Sequence, residues 1–244
     1  MSRALDTALF VGALLLLWQG LYWLAGEVAL ASPLTTAGRA LELLADAGFW
    51  PHAAETGIAF GYALVYAILG GFGLGLLLGL HRLSGAVAEP ILVSLYSLPK
   101  VTLYPLMLLV FGLGLSAKVA FGVIHGIIPM TLFTMNAVRT VAPVYFKAAR
   151  VMQVGRGGMI VHIILPAAFP EIVSGVRVGF SLTLLGVLIG EMFASQRGLG
   201  HLVIRAIGRH DVPTMMAVTL LLVVVAVILN SGLLALDRRL HRRV

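Results

Sequence analysis

Few residues in this 244-residue chain could do covalent chemistry. It contains no Cys, so disulfides, thiolate nucleophiles and Cys-based zinc sites are ruled out. There is no Walker A sequence, no His-Glu-x-x-His pair and no Gly-x-Ser-x-Gly turn. His201 and His210 are too far apart for a metal pair on one helix face. What stands out instead is charge placed where charge is expensive. Lys100 sits between Pro99 and Pro105 inside a long apolar run. A Lys at the centre of a bilayer costs roughly 2.5–3.5 kcal/mol on insertion scales, so it should face a cavity, a carboxylate or a headgroup layer. Beside a translocation path it would favour an anion; as a structural group it would snorkel to the interface. Glu191, at the end of a later apolar run, would pair with a basic group or line an outer mouth. Neither residue suggests bond-making, and for both a structural role stands beside a place on a solute path.

A second kind of signal lies at 147–166, KAARVMQVGRGGMIVHIILP. Lys147, Arg150 and Arg156 are basic and no acid sits among them. A helix-like piece at 144–153 runs into Gly155, Gly157 and Gly158, and a second apolar helix reaches Leu165 and Pro166. The pattern predicts two short helices joined at a glycine hinge on the membrane surface. Its basic residues would hold it at the cytoplasmic face.

The elements that must carry these residues follow from composition. The chain is 60% hydrophobic and 11% charged, with a mean hydropathy of +1.02. A soluble domain carries about 25% charged residues. A transmembrane helix needs about 20 apolar residues, so there is room for five or six in one domain spanning 1–244. The fold class expected is all-α, a polytopic membrane bundle of about six helices. The net charge of +7 sets orientation and meets anionic headgroups; no nucleic-acid partner is expected.

Along the chain, the uncharged run between Asp6 and Glu27 is long enough to span, with Trp18, Tyr22 and Trp23 near its far end. Arg3 and Ala29-Leu30-Ala31 also suit a signal peptide, but the run exceeds a signal core of about 7–15 residues. A short amphipathic helix follows Ser32-Pro33, with Leu34, Ala37, Leu41, Leu44 and Ala45 on its apolar face and Arg39, Glu42 and Asp46 opposite. In 56–80, Gly71, Gly75 and Gly79 recur every four residues, a face on which two helix backbones can approach closely. No Lys-Ser or Lys-Thr follows, so they are not a phosphate loop. Pro99 and Pro105 break the next span. A span at 118–139 holds His125 and Pro129. Another at 171–194 carries Ser174, Gly175, Gly179, Ser181, Thr183 and Gly186 for packing against protein. The stretch 195–211 reads as an external loop with a surface or re-entrant helix, and a last span covers 214–236. With six spans and both termini inside, Arg3, Arg82, Arg139, Lys147, Arg150, Arg156, Arg238, Arg239, Arg242 and Arg243 fall on the cytoplasmic side. Arg39, Lys118, Arg197, Arg205 and Arg209 fall outside, which agrees with the positive-inside bias.

The stretch 147–166 resembles the cytoplasmic loop of binding-protein-dependent (type I) ABC importer permeases: Glu-Ala-Ala, three residues, Gly, nine residues, Ile, one residue, Leu-Pro. Ala148, Ala149, Ile163, Leu165 and Pro166 fall at that spacing. Lys147 stands where Glu is usual, and Gln153 where Gly is usual, with Gly155 two residues later. Pro99-Lys100, Pro105-Leu106, Phe111-Gly112, Gly114 and Lys118 are similar to the nitrate, sulfonate and taurine branch. So is Arg197-Gly198-Leu199-Gly200 after Gly190-Glu191. The likeness covers roughly 34–240.

The resemblance implies a non-catalytic permease subunit in a bacterial inner membrane. It implies two permease copies (a homodimer being the simplest form), two cytoplasmic ATPase subunits holding ATP and Mg, and an external solute-binding protein. This chain itself would bind no cofactor. Lys147, Ala148, Ala149, Arg150, Gln153, Gly155, Ile163, Leu165 and Pro166, within a loop at 143–170, would couple to the ATPase. The expected cargo is a small anion such as a sulfonate, nitrate or carboxylate; a vitamin or pyrimidine precursor is the rival. A membrane-embedded enzyme or scaffold without an ATPase, and an ion-coupled carrier, are the competing classes. The scarcity of buried acids and the lack of paired broken spans disfavour the carrier.

Overall fold

The computed structural model describes residues 3–241. Every regular element among them is helical, as expected where no water is present to satisfy an open sheet edge. In order these are α1 (Arg3–Ala25), α2 (Pro33–Ala45), α3 (Trp50–Leu80), α4 (Arg82–Ser97), a 3₁₀ turn (Lys100–Leu103), α5 (Tyr104–Phe111) and α6 (Leu115–Arg139). Then come α7 (Pro143–Val151), the one-turn α8 (Arg156–Met159), a π-helical turn (Ile160–Ile164), α9 (Leu165–Ala194), α10 (Leu199–Gly208) and α11 (Val212–His241). Five stretches are long and apolar enough to cross a bilayer: Leu5–Ala25, Trp50–Leu80, Leu115–Arg139, Gly157–Phe193 and Val212–Ala235. Arg82–Ser97 and Lys100–Phe111 form a sixth if counted as one span broken by an 88° bend. Pro99 lies at that break and Pro105 is in the first turn of α5, where a missing amide proton costs nothing.

The packing resolves into two compact units, one running up to Thr56 together with Glu191–Val227, the other Gly57–Gly190 with the chain from Ile228 on. Within the second, α6 is the central helix, and small residues let its neighbours reach it. A Cβ placed on Gly71 would lie 2.6 Å from the Met130 Cβ. One on Gly75 would lie 2.7 Å from the Thr131 carbonyl oxygen, and one on Gly79 2.8 Å from the Val138 Cβ. The four-residue glycine spacing on α3 therefore matches Met130, Thr134 and Val138 on α6, also four apart. A second face of α6 meets α9 in the same way. The Thr183 hydroxyl occupies the notch left by Gly126, and Met130 fills the one left by Gly179. A cluster of Ala137, Val138, Val141, Ile164, Ala168 and Ile172 closes one end of this unit.

In the first unit, Ala40, Leu43 and Phe49 pack on Ala217 and Val218. Ser32 caps α2, its hydroxyl accepting from the Thr35 amide at 3.1 Å. Arg39 Nε donates to the Thr214 hydroxyl at 2.9 Å, and the Thr214 amide donates to Asp211 Oδ1 at 3.0 Å, so α2 is tied to the start of α11. Burial pushes the Asp211 carboxyl up, but the bonds from Thr214 and the nearby Arg39 and Arg209 charges outweigh this and hold it below the usual Asp range.

Three sequence expectations need correction here. The inward face of α2 is Thr36, Ala40 and Leu43, while Leu34 and Leu41 point outward. Small Ala40 permits close approach, whereas large apolar side chains are welcome on a surface that meets lipid. Lys118, counted on the outer side at the start of the span 118–139, is not at a surface: it lies in the first turn of α6 and is 1% exposed. The span expected at 171–194 starts earlier, because the helix is continuous in direction from Gly157 to Phe193. Arg242 and Arg243 of the basic tail lie outside the described residues.

Gly75→Ala should destabilise the purified protein by about 1–3 kcal/mol, as for other overpacked contacts, and so lower its unfolding midpoint. Gly73→Ala, whose Cβ would meet nothing within 4 Å, should leave it unchanged or slightly higher. Thermal unfolding in detergent distinguishes the two, and equal midpoints would refute the close-packing role of the stripe.

Candidate functional site: an elbow, a buried cation and a capped helix start

The elbow begins at α7. Lys147 and Ala148 are exposed and Ala149 is buried. The backbone of Arg150 continues the helix; the side chains of Arg150 and Arg156 lie outside the described set. The chain then reverses at Gln153, whose φ is +53°. The expected glycine hinge is therefore misplaced, since Gly155, Gly157 and Gly158 have no positive φ. The reversal falls on the one position where the family pattern has Gly and this chain has Gln. A left-handed residue with a Cβ costs roughly 1–2 kcal/mol, so the loop carries strain that the pattern glycine would avoid. The Val154 amide donates to the Ala149 carbonyl at 3.0 Å, which closes the turn. After α8 the π turn leads directly into α9. Ile164 is buried in the cluster with Val138 and Ala168, Leu165 packs against its edge, Ile163 is half-buried and Pro166 is exposed. The pair of short helices is thus asymmetric: α7 is a separate helix that packs through Phe146 and Ala149, while α8 is the leading end of a 37-residue apolar helix.

Lys100 opens the 3₁₀ turn at the 88° break. It is 9% exposed, its Nζ donates to the Tyr96 carbonyl at 2.8 Å, and it lies 5.1 Å from the centroid of the Tyr96 ring. No carboxylate lies within ion-pair distance of it among the described residues. Pro99 and Pro105 are both exposed. The Pro99 carbonyl, freed by the break, accepts from the Thr102 amide at 3.0 Å and the Thr102 hydroxyl at 2.8 Å. Nearby in sequence, Tyr104 donates to the Gly190 carbonyl at 2.6 Å and stacks edge-on with Phe121, which in turn contacts His125. His125 is bonded through Nδ1 to the Phe121 carbonyl at 2.9 Å. An open groove of about 980 Å³ lies between α3, α5 and α6, lined by Tyr62, Tyr66, Met107, Phe111 and Val123 among others.

Glu191, expected to pair with a basic group or to line an outer mouth, is bonded at a helix start. It is 0% exposed and faces the start of α10. Its carboxylate accepts from the Thr56 hydroxyl at 2.9 Å and from the Gly200 amide at 3.0 Å. The Thr56 hydroxyl accepts from the Leu199 amide at 2.8 Å, and His52 Nδ1 accepts from the Gly198 amide at 3.1 Å. Three successive amides at the helix start are thereby satisfied inside the protein, with a carboxylate at the positive end of the helix dipole. Gly198 has φ +125° and a Cβ there would run into the Glu191 carboxylate. His52 and Thr56 went unremarked in the sequence; their partners are more than 130 residues away and no local pattern marks them.

The match to known proteins decides the family. Residues 71–244 fit the model described as "Binding-protein-dependent transport system inner membrane component". The chain belongs to this family. It is 30% identical over 240 residues to a probable ABC transporter permease protein of Haemophilus influenzae, covering 98% of this chain and 97% of that one. It is 30% identical to the taurine transport system permease protein TauC of Escherichia coli, covering 80% and 71%. It is 31% identical to the riboflavin transport system permease protein RibX of Chloroflexus aurantiacus, covering 91% and 84%. Among solved structures, an inward-facing MetNI methionine ABC transporter chain matches with TM-score 0.67 at 18% identity, covering 78% and 96%, which shows a shared fold. The chain is thus the transmembrane permease subunit of an ABC importer and forms the path for a small solute. The enzyme, scaffold and carrier alternatives fall away.

Gly198→Ala should expose the amides of residues 198–200. Hydrogen–deuterium exchange there should accelerate about tenfold or more, equivalent to ~1.4 kcal/mol of local opening, while exchange in α7 stays unchanged. Unchanged exchange at 198–200 would show that the carboxylate does not hold the helix start.

Proposed function

We propose that this permease carries a small organic or inorganic anion, and that ATP hydrolysis on separate partner subunits drives it through the elbow formed by α7 and α8. The observation supporting the cargo is Lys100, a buried cation at the break of a span with no carboxylate in ion-pair range. Such a charge is costly unless carbonyls, water or an anion share its surroundings, and the single Tyr96 carbonyl leaves its charge unneutralised. Relatives named for taurine and for aliphatic sulfonates agree with this choice. A second reading rests on the groove beside Tyr62 and Tyr66, whose hydroxyls have no partner among the described residues. A planar aromatic solute would suit it, and relatives are named for riboflavin and for formylaminopyrimidine.

The working assembly, on this proposal, has two copies of the chain as single permease domains, two cytoplasmic ATPase subunits that hold ATP and Mg, and an external solute-binding protein. It lies in a bacterial inner membrane with both termini on the ATPase side. The permease contributes no catalytic group and binds no cofactor. The exposed α7 and the rigid link from α8 into α9 support the coupling role. Nucleotide shifts the path between inward- and outward-open only as far as the ATPase pair contacts the elbow differently in the two states.

Two experiments on reconstituted complexes test these assignments. Lys100→Met should cut anion uptake severalfold with normal expression and normal ATPase association; undiminished uptake would return Lys100 to a purely structural role. Deleting residues 154–159 should leave ATP hydrolysis running without uptake, while Gln153→Gly, which relieves the left-handed strain, should keep both coupled. Uptake that survives the deletion would remove the elbow from the coupling path.

A further inference from the structure

We propose that the cavity between the α3–α4 turn, the end of α6 and the start of α7 binds the phosphate headgroup of an anionic phospholipid. The cavity measures about 1060 Å³, and three of its lining residues are cationic: Arg82, Arg139 and Lys147. None of the lining residues is acidic. The one carboxylate bonded to this group, Glu89, accepts from Arg139 at 2.8 Å and so offsets a single charge.

Two helix starts add to the positive potential. Arg82 and Pro143, the first residues of α4 and α7, both line the cavity. Neither helix has an acid in its first turn, and His81 gives α4 no side-chain cap. The amide groups at such ends favour a phosphate. The cavity is also built to keep Arg139 in place. A Cβ on Gly85 would lie 2.6 Å from the Leu78 carbonyl oxygen and 3.6 Å from the Arg139 Cζ, so a bare glycine lets α4 close over the guanidinium.

Position selects a lipid over a free ion. Leu80 and Arg139 are the last residues of two apolar spans, so the cavity sits where hydrocarbon gives way to headgroups. The basic groups share the lining with Leu80, Val138, Phe146 and Ile164, which suit the glycerol and upper acyl region. Basic pockets between helices at this depth are the usual receptors for acidic headgroups. The inference gives a reason for Lys147, which stands where the family pattern has Glu: with an acid there, one of the three cations would become an anion facing the phosphate. It requires neither the cargo nor the coupling assignment.

The test follows thermal unfolding of the full-length protein in neutral detergent, titrated with phosphatidylglycerol, phosphatidylcholine or inorganic phosphate. Phosphatidylglycerol should raise the midpoint saturably, and the other two should not. An Arg82→Gln/Lys147→Glu double variant should respond to phosphatidylglycerol about tenfold more weakly while keeping wild-type helicity and midpoint in phosphatidylcholine. If the double variant fails to fold, Lys147→Glu alone, on an exposed side chain, serves for the same comparison. Equal shifts with the two lipids, or an undiminished response in the variant that folds, would overturn the proposal. A full shift with inorganic phosphate alone would replace the lipid with a free anion and overturn the assignment as stated.

Discussion

The close approach of α3 and α9 to α6 is the contact on which the rest of this protein depends. In hydrocarbon, apolar side chains gain nothing by turning from lipid to protein, so helices associate through packing and hydrogen bonds. Gly71, Gly75 and Gly79 on one side, and Gly126 and Gly179 on the other, allow backbones and side chains to interlock at distances that a methyl group would forbid. The three helices form a frame of their own within the larger unit. The less regular pieces gain their positions from it: the broken span with Lys100, the elbow at Gln153, and the cation-lined cavity at one end of α6.

Several buried polar groups around that frame are bonded, although the Thr183 hydroxyl in the Gly126 notch has no hydrogen-bond partner among the described residues. Glu191 is buried yet bonded to Thr56 and to the Gly200 amide, and its negative charge suits the start of α10. Tyr104 spends its hydroxyl on the Gly190 carbonyl. Lys100 satisfies one of its protons on the Tyr96 carbonyl and lies near the Tyr96 ring, but among the described residues it meets no carboxylate. Function is best sought where stability gains least, and this buried cation is such a place.

On the proposed coupling role, motion travels from the elbow into α9. Helix α7 ends at a residue in a strained left-handed conformation, and the next helical turn merges through a π turn into α9. A π turn of this kind is a common mark of functional sites in helices. Displacing the elbow therefore displaces one end of a long rod that also carries Gly179, Thr183 and Glu191. The link from a surface contact to the middle of the bundle is covalent and needs no relay of side chains.

Composition and periodicity alone determined that this is a helical membrane protein with five or six spans, and that one span is broken at Pro99. They also marked the glycine stripe, because a four-residue repeat is a property of one helix. The Ala148-Ala149 to Leu165-Pro166 spacing was enough to suggest the family. Long-range partners were another matter. Nothing local pairs Glu191 with Thr56, assigns His52 to the Gly198 amide, or buries Lys118. The apolar stripe of α2 does not mark its inward face, because apolar residues turn inward in water but face lipid equally well in a membrane. The hinge went to three glycines when the backbone reversed at Gln153, since a turn is set by where the flanking helices must go. Tertiary structure decided these points: each concerns which surface meets protein and which meets lipid, and hydrophobicity cannot tell those two apart.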